Sequence, residues 1–199
     1  MEFLKRTWAE IDLDALKSNV AAIRSALPAG TGIIAVVKAD AYGHGDQYIA
    51  AELESLGIRF FAVSNLEEAL SLRRHGVAGE ILVLGPAPWR RAGDLAKYNI
   101  IQTVHSLPYA ESLSRQAARD GVTVRAHLKL DTGMGRIGFV IREDFDPRPE
   151  IRQAVALPGL KMEGVFSHFS SADDITEAGE DYTALQRVRF DRTVKALEA

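Results

Sequence analysis

"GIIAVVKADAYGHG" (32–45) sets a lysine at the end of an apolar run and follows it with a glycine-punctuated turn. The run is apolar at consecutive positions, the pattern of a strand covered on both faces. Similar runs recur at "FFAVSN" (60–65), "EILVLG" (80–85), "IIQTVHS" (100–106), "VRAHLKLD" (124–131) and "MEGVFSHF" (162–169). Helical patterns separate them, near 46–56, 67–75, 89–97, 108–119 and 148–156, with a last one from 177 to 199. Asn65 reads as an N-cap, and Gly57, Gly76 and Gly121 as C-terminal glycines. The opening "RTWAEIDLDALKSNVAAIRSAL" predicts an alternating strand over 7–13 and a helix over 14–26.

Strand then helix, six times over, predicts a parallel α/β architecture. Two arrangements compete, an open doubly wound sheet and a closed (β/α)8 TIM-type barrel. Units of about 25 residues match the spacing of the barrel, and about six of its eight units are then present. An open sixth strand leaves an unpaired edge, so either the sequence is a piece of something longer or another element covers that edge.

Composition narrows the function classes. In 199 residues, 24 Lys and Arg stand against 27 Asp and Glu, a net charge of −3, which is no footprint for nucleic acid or an anionic membrane. No cysteine is present, which excludes disulfides and thiolate metal sites. The amino terminus lacks the apolar stretch of a signal peptide, and no segment reaches the roughly 18 apolar residues of a membrane span. A cytoplasmic protein is the expectation.

Reactive residues in such folds gather where strands end. Lys38, Asp40, Tyr42 and His44 follow the first run, Ser64–Asn65 the second, Gly85–Pro86 the third and His105 the fourth. "KLDTGMGRIG" carries Lys129, Asp131 and Arg136, and "SHFSSADD" carries His168. Basic groups prevail, which favours an anionic ligand over a divalent metal. Lys38 is either a rim cation with its head in water or an amine able to form a Schiff base. Tyr42 is either a phosphate contact or an aromatic plug. Arg136 is either delivered into a site by its glycine loop or a surface arginine. Lys129, inside an apolar strand, needs a counter-charge or neutralisation if it points inward.

Together these segments resemble the bacterial alanine racemases, which depend on pyridoxal 5'-phosphate (PLP). "AVVKADAYGHG" is similar to the family's cofactor-attachment motif, "RTWAEIDLDALKSN" to its opening, "HLKLDTGMGRIGF" to its arginine motif and "GVFSHFSSAD" to its histidine segment. The resemblance implies that Lys38 holds PLP as an aldimine and serves as one of two catalytic bases. It implies that Tyr42 contacts the phosphate, Leu84 lines the ring pocket and His168 lies beneath the pyridine ring. It also implies that Arg136 contacts cofactor and substrate carboxylate, and that Lys129 is carbamylated beside it. The chain is then the N-terminal part of the barrel, with the remaining units and a C-terminal β-domain outside residues 1–199. Its substrate is an amino acid, alanine by resemblance, giving D-alanine for peptidoglycan. The full-length protein is a homodimer, and the 199-residue chain alone is expected to be inactive. The alternatives are a serine-preferring racemase, a non-catalytic PLP-binding protein and a cofactor-free Schiff-base aldolase.

Overall fold

Capping chemistry sets the helix boundaries in this computed structural model, which describes residues 7–198. Helix α1 (Leu13–Ala26) starts at Asp12, whose carboxylate accepts the N–H groups of Asp14 and Ala15 at 2.8 and 3.0 Å. The strand expected over 7–13 does not form, and residues 7–12 are irregular. Alternation alone does not make a strand, and the apolar side chains of Trp8 and Ile11 remain exposed. Arg6, the first residue of the opening motif, lies outside the described residues.

The chain divides into two compact units, residues 1–80 and 81–199. In the first, β1 (Ile34–Val36) runs parallel to β2 (Phe60–Val63), with Ala35 opposite Phe61. Between them lie α2 (Lys38–Gly43), a single turn described below, and α3 (Asp46–Ser55). Helix α4 (Leu66–Arg74) follows β2 and is capped by Asn65, whose side chain accepts the Glu68 N–H at 2.9 Å, as expected. Ile49, Leu53, Ile58, Phe61, Leu66 and Leu72 form the buried core of this unit.

The second unit contains all of β3 (Glu80–Val83) but its first residue, then β4 (Ile100–Val104) and β5 (Val124–Asp131). β3, β4 and β5 pair in parallel in that order. On its other side β5 pairs in parallel with both β6 (Phe139–Val140) and β7 (Leu160–Phe166). The intervening helices are α5 (Ala92–Lys97), α6 (Leu107–Asp120) and α7 (Arg148–Val155), with α8 (Glu177–Glu198) after β7. α6 shows its sequence signals directly: Ser106 caps its start, Pro108 stands in its first turn, and Gly121 ends it in the left-handed region at φ +65°. Leu128 and Leu130 pack with Val104, Phe139 and Ile151, so β5 turns its even-numbered residues to this core and its odd-numbered ones the other way. On that opposite face Gly164 is required, because a Cβ there would lie 2.7 Å from the His127 ring.

Candidate active site

In the first unit the chain leaves the sheet abruptly after one further ladder bond, from Val37 N–H to Ala62 O at 2.9 Å. Ala39, Asp40, Ala41 and Tyr42 then hold φ of 50–56° and ψ of 36–53°, a left-handed turn made by four residues that all carry a Cβ. Each costs on the order of 1 kcal/mol or more, so the surroundings must over-determine the turn. Bonds within it run from Ala41 N–H to Val37 O at 3.1 Å and from Gly45 N–H to Asp40 O at 3.0 Å. The Asp40 carboxylate accepts the Asp46 N–H at 2.8 Å. Gly43 and Gly45 continue the positive φ at 85° and 86°. A Cβ on Gly43 would meet nothing within 4 Å, so conformation, not close approach, is what calls for glycine there.

The turn brings Lys38 and Tyr42 to one side, with the lysine Nζ 5.8 Å from the centre of the phenol ring. Lys38 is half-buried, and Tyr42 is exposed and free to meet a ligand. His44 instead turns its ring back on the loop, Nδ1 lying 2.8 Å from Ala41 O. The first amide of the left-handed stretch, Ala39 N–H, is bonded from outside the turn, by the Glu68 carboxylate at 3.0 Å.

In the second unit Lys129 is 3% exposed, on the odd-numbered face of β5. Its Nζ lies 5.0 Å from the Phe166 ring centre and 3.5 Å from Leu130 O, and no ion pair to it occurs among the described residues. Burial, opposed by Asp131 and reinforced by Arg136, lowers its pKa from 10.5 to about 8. Asp131 closes the "DTGMG" turn by accepting the N–H groups of Gly133 and Gly135 at 3.1 and 3.0 Å. Gly138 ends that loop at φ +132°, where a Cβ would stand 2.7 Å from Asp131 N. Arg136 emerges exposed between these glycines. His168 is exposed two residues beyond β7, and Leu84 is half-buried directly after β3. His105, after β4, packs on Tyr109 at 4.8 Å, and burial pushes its pKa below the ordinary imidazole value.

Helix α8 contributes what the sequence did not reveal. Tyr182 donates to Gly133 O at 2.8 Å, and Arg189 donates to Thr132 O at 3.0 Å while pairing with both oxygens of Glu143. Gln186, fully buried, donates to Thr132 Oγ1 at 3.4 Å and His168 O at 3.3 Å. Its Oε1 accepts the Ser170 N–H at 2.9 Å. One side chain therefore ties the arginine loop to the histidine segment. Replacing Gln186 by Leu keeps the volume and strands these partners, which should cost about 1–3 kcal/mol, read as a lower urea midpoint at unchanged m-value.

Residues 11–199 match the family described as "Alanine racemase, N-terminal domain". The chain belongs to that family. It is 43% identical over 198 residues to an alanine racemase of Desulfosudis oleivorans, covering 96% of this chain and 50% of that protein. A solved alanine racemase of Clostridium difficile 630 superposes with a TM-score of 0.90 at 35% identity, over 99% of this chain and 50% of that one. A solved histidine racemase of Leuconostoc mesenteroides follows at 0.79 and 30% identity, over 87% of this chain and 46% of that one. The chain thus spans about half the length of the proteins it matches, and its fold is part of a (β/α)8 barrel, as the unit spacing suggested. The resemblance seen in the motifs is a family relationship.

Proposed function

We propose that this chain is the front part of the barrel of a PLP-dependent alanine racemase. Lys38 carries this reading: a primary amine at the exit of a parallel strand, at the head of a left-handed turn, in a chain of this family. The chemistry of these residues suits the cofactor: the Lys38 amine would take its aldehyde, and the phenol of Tyr42 and the guanidinium of Arg136 would each suit an anionic oxygen. Leu84 would line the ring pocket and His168 would lie under the pyridine. Bound PLP supplies an electron sink that acidifies the substrate Cα–H.

Within the chain, Lys38 takes a proton from Cα on one face, or returns one to it. Arg136 binds the substrate carboxylate through its fork of donors. Lys129 lies buried near Arg136, and two cations repel there. Its pKa of about 8 leaves roughly a tenth of the amine neutral at pH 7, far more than an ordinary lysine has. The free amine can bond to the carbon of CO2 and release one proton, giving a carbamate anion that partners Arg136. The opposing base and the remaining barrel units come from the rest of the full-length protein, a cytoplasmic homodimer making D-alanine for peptidoglycan. Residues 1–199 alone should then show no turnover.

The test is borohydride reduction of the full-length protein with PLP, followed by peptide mapping and a chiral assay on L-alanine. The reading expects the pyridoxyl label on Lys38 and D-alanine formed. Label on another residue, or none, overturns it. The likeness to a histidine racemase makes histidine, beside serine, the competitor to include in the assay.

A further inference from the structure

We propose that Glu68 is a positioning residue for Lys38, its carboxylate fixing the peptide that joins Lys38 to Ala39. The inference rests on the role given to Lys38 above.

A left-handed turn, like any helical turn, begins with amides that have no partner inside it. Ala39 N–H is such a group, and it belongs to the peptide whose carbonyl is that of Lys38. Its acceptor is Glu68 Oε1 at 3.0 Å, contributed by the first turn of α4, 29 residues away. The other oxygen is locked in turn. Glu68 Oε2 accepts the Ser64 N–H at 2.7 Å and the Ser64 hydroxyl at 2.8 Å. Asn65 and Glu68 occupy the spacing of a capping box, in which the glutamate ordinarily reaches back only to its own helix start. Here one oxygen serves that start and the other reaches across to the turn that bears the lysine.

Two further points support the assignment. The carboxylate sits where the positive end of α4 and three N–H or O–H donors favour an anion. Burial pushes its pKa up, but the bonds from Ala39, Ser64 and Asn65 outweigh that and hold it below the ordinary glutamate value. The acceptor is thus charged at neutral pH. In addition, the bonds donated by Ala41, His44, Gly45 and Asp46 all lie within residues 37–46, and none of them engages the Ala39 amide.

The experiment compares Glu68→Ala, Glu68→Gln and Asn65→Ala in the full-length protein. Asn65→Ala removes the cap of α4 but not the bond to Ala39, so it controls for loss of helix stability alone. Two quantities are read, hydrogen exchange at the Ala39 amide and the rate at which PLP is captured and trapped by borohydride on Lys38. Glu68→Ala should speed Ala39 exchange about tenfold and slow capture about tenfold, the factor that one lost bond of ~1.4 kcal/mol produces. Glu68→Gln, retaining one acceptor, should fall between, and Asn65→Ala should leave both near wild type. Ala39 exchange unchanged in Glu68→Ala, or equal effects from Asn65→Ala, overturns the inference. Absence of label on Lys38 in the wild-type protein overturns the functional reading instead, and Ala39 exchange still decides whether Glu68 fixes the peptide.

Discussion

Lys38→Ala in the full-length protein should lower alanine racemisation by roughly four orders of magnitude or more. A positioned acid–base group alone contributes about 10²- to 10⁴-fold, and here the same amine also anchors the cofactor. The loss should appear in kcat as well as kcat/KM, because the group acts on the reacting atoms. Stability should hardly change, since Lys38 is half-buried and makes no ion pair among the described residues. The circular dichroism spectrum and urea midpoint therefore serve as controls. Lys38→Arg should be equally inactive despite keeping the charge, because a guanidinium remains protonated and cannot attack a carbonyl. A Lys38→Ala protein that keeps a tenth of wild-type turnover refutes the assignment.

Why Lys38 was legible and its setting was not is a matter of range. A lysine closing an apolar run, with glycines after it, is a local pattern, and so are the caps at Asn65 and Gly121 that the structure retains. The left-handed turn has no such signature. Nothing in Ala39–Tyr42 favours positive φ apart from Asp40, and propensity points the other way. The turn persists through Glu68 and through β1 pairing, contacts made at a distance in sequence. Glu68 did leave one trace, its place three residues after an N-cap. Gln186 left none, for a buried glutamine in an amphipathic helix reads like a polar-face residue until its partners are known. The strand expected over 7–13 shows the converse failure, a local pattern that the fold leaves irregular over residues 7–12.

The remaining large effect concerns Lys129, whose polarity inside an apolar strand already posed a question in the sequence. With a free amine, its pKa of about 8 lies below the ordinary 10.5 because burial penalises the ammonium. Between those values the unfolded chain binds the proton and the folded one does not, so unfolding takes up a proton and stability rises with pH. The gain approaches roughly 3 kcal/mol by pH 10.5; below pH 8 both states are protonated and the penalty is fully in place. A carbamate reverses this. It is an anion beside Arg136, so saturating bicarbonate should raise the stability of the full-length protein near pH 7.5 and flatten its rise from pH 8 to 10.5. Lys129→Met, a neutral side chain of similar length, should show neither the bicarbonate effect nor that rise, and should match or exceed the bicarbonate-free wild type in stability. Its racemisation should nevertheless fall by about 10- to 100-fold, since Arg136 loses the anion that orients it. Small carboxylates added to Lys129→Ala should restore part of that loss by occupying the same place. A 13C signal of a carbamate under labelled bicarbonate, present in the wild type and missing in Lys129→Met, would identify the species directly. Wild-type stability indifferent to bicarbonate, with the pH 8 to 10.5 rise intact, would mean that Lys129 works as a neutral amine.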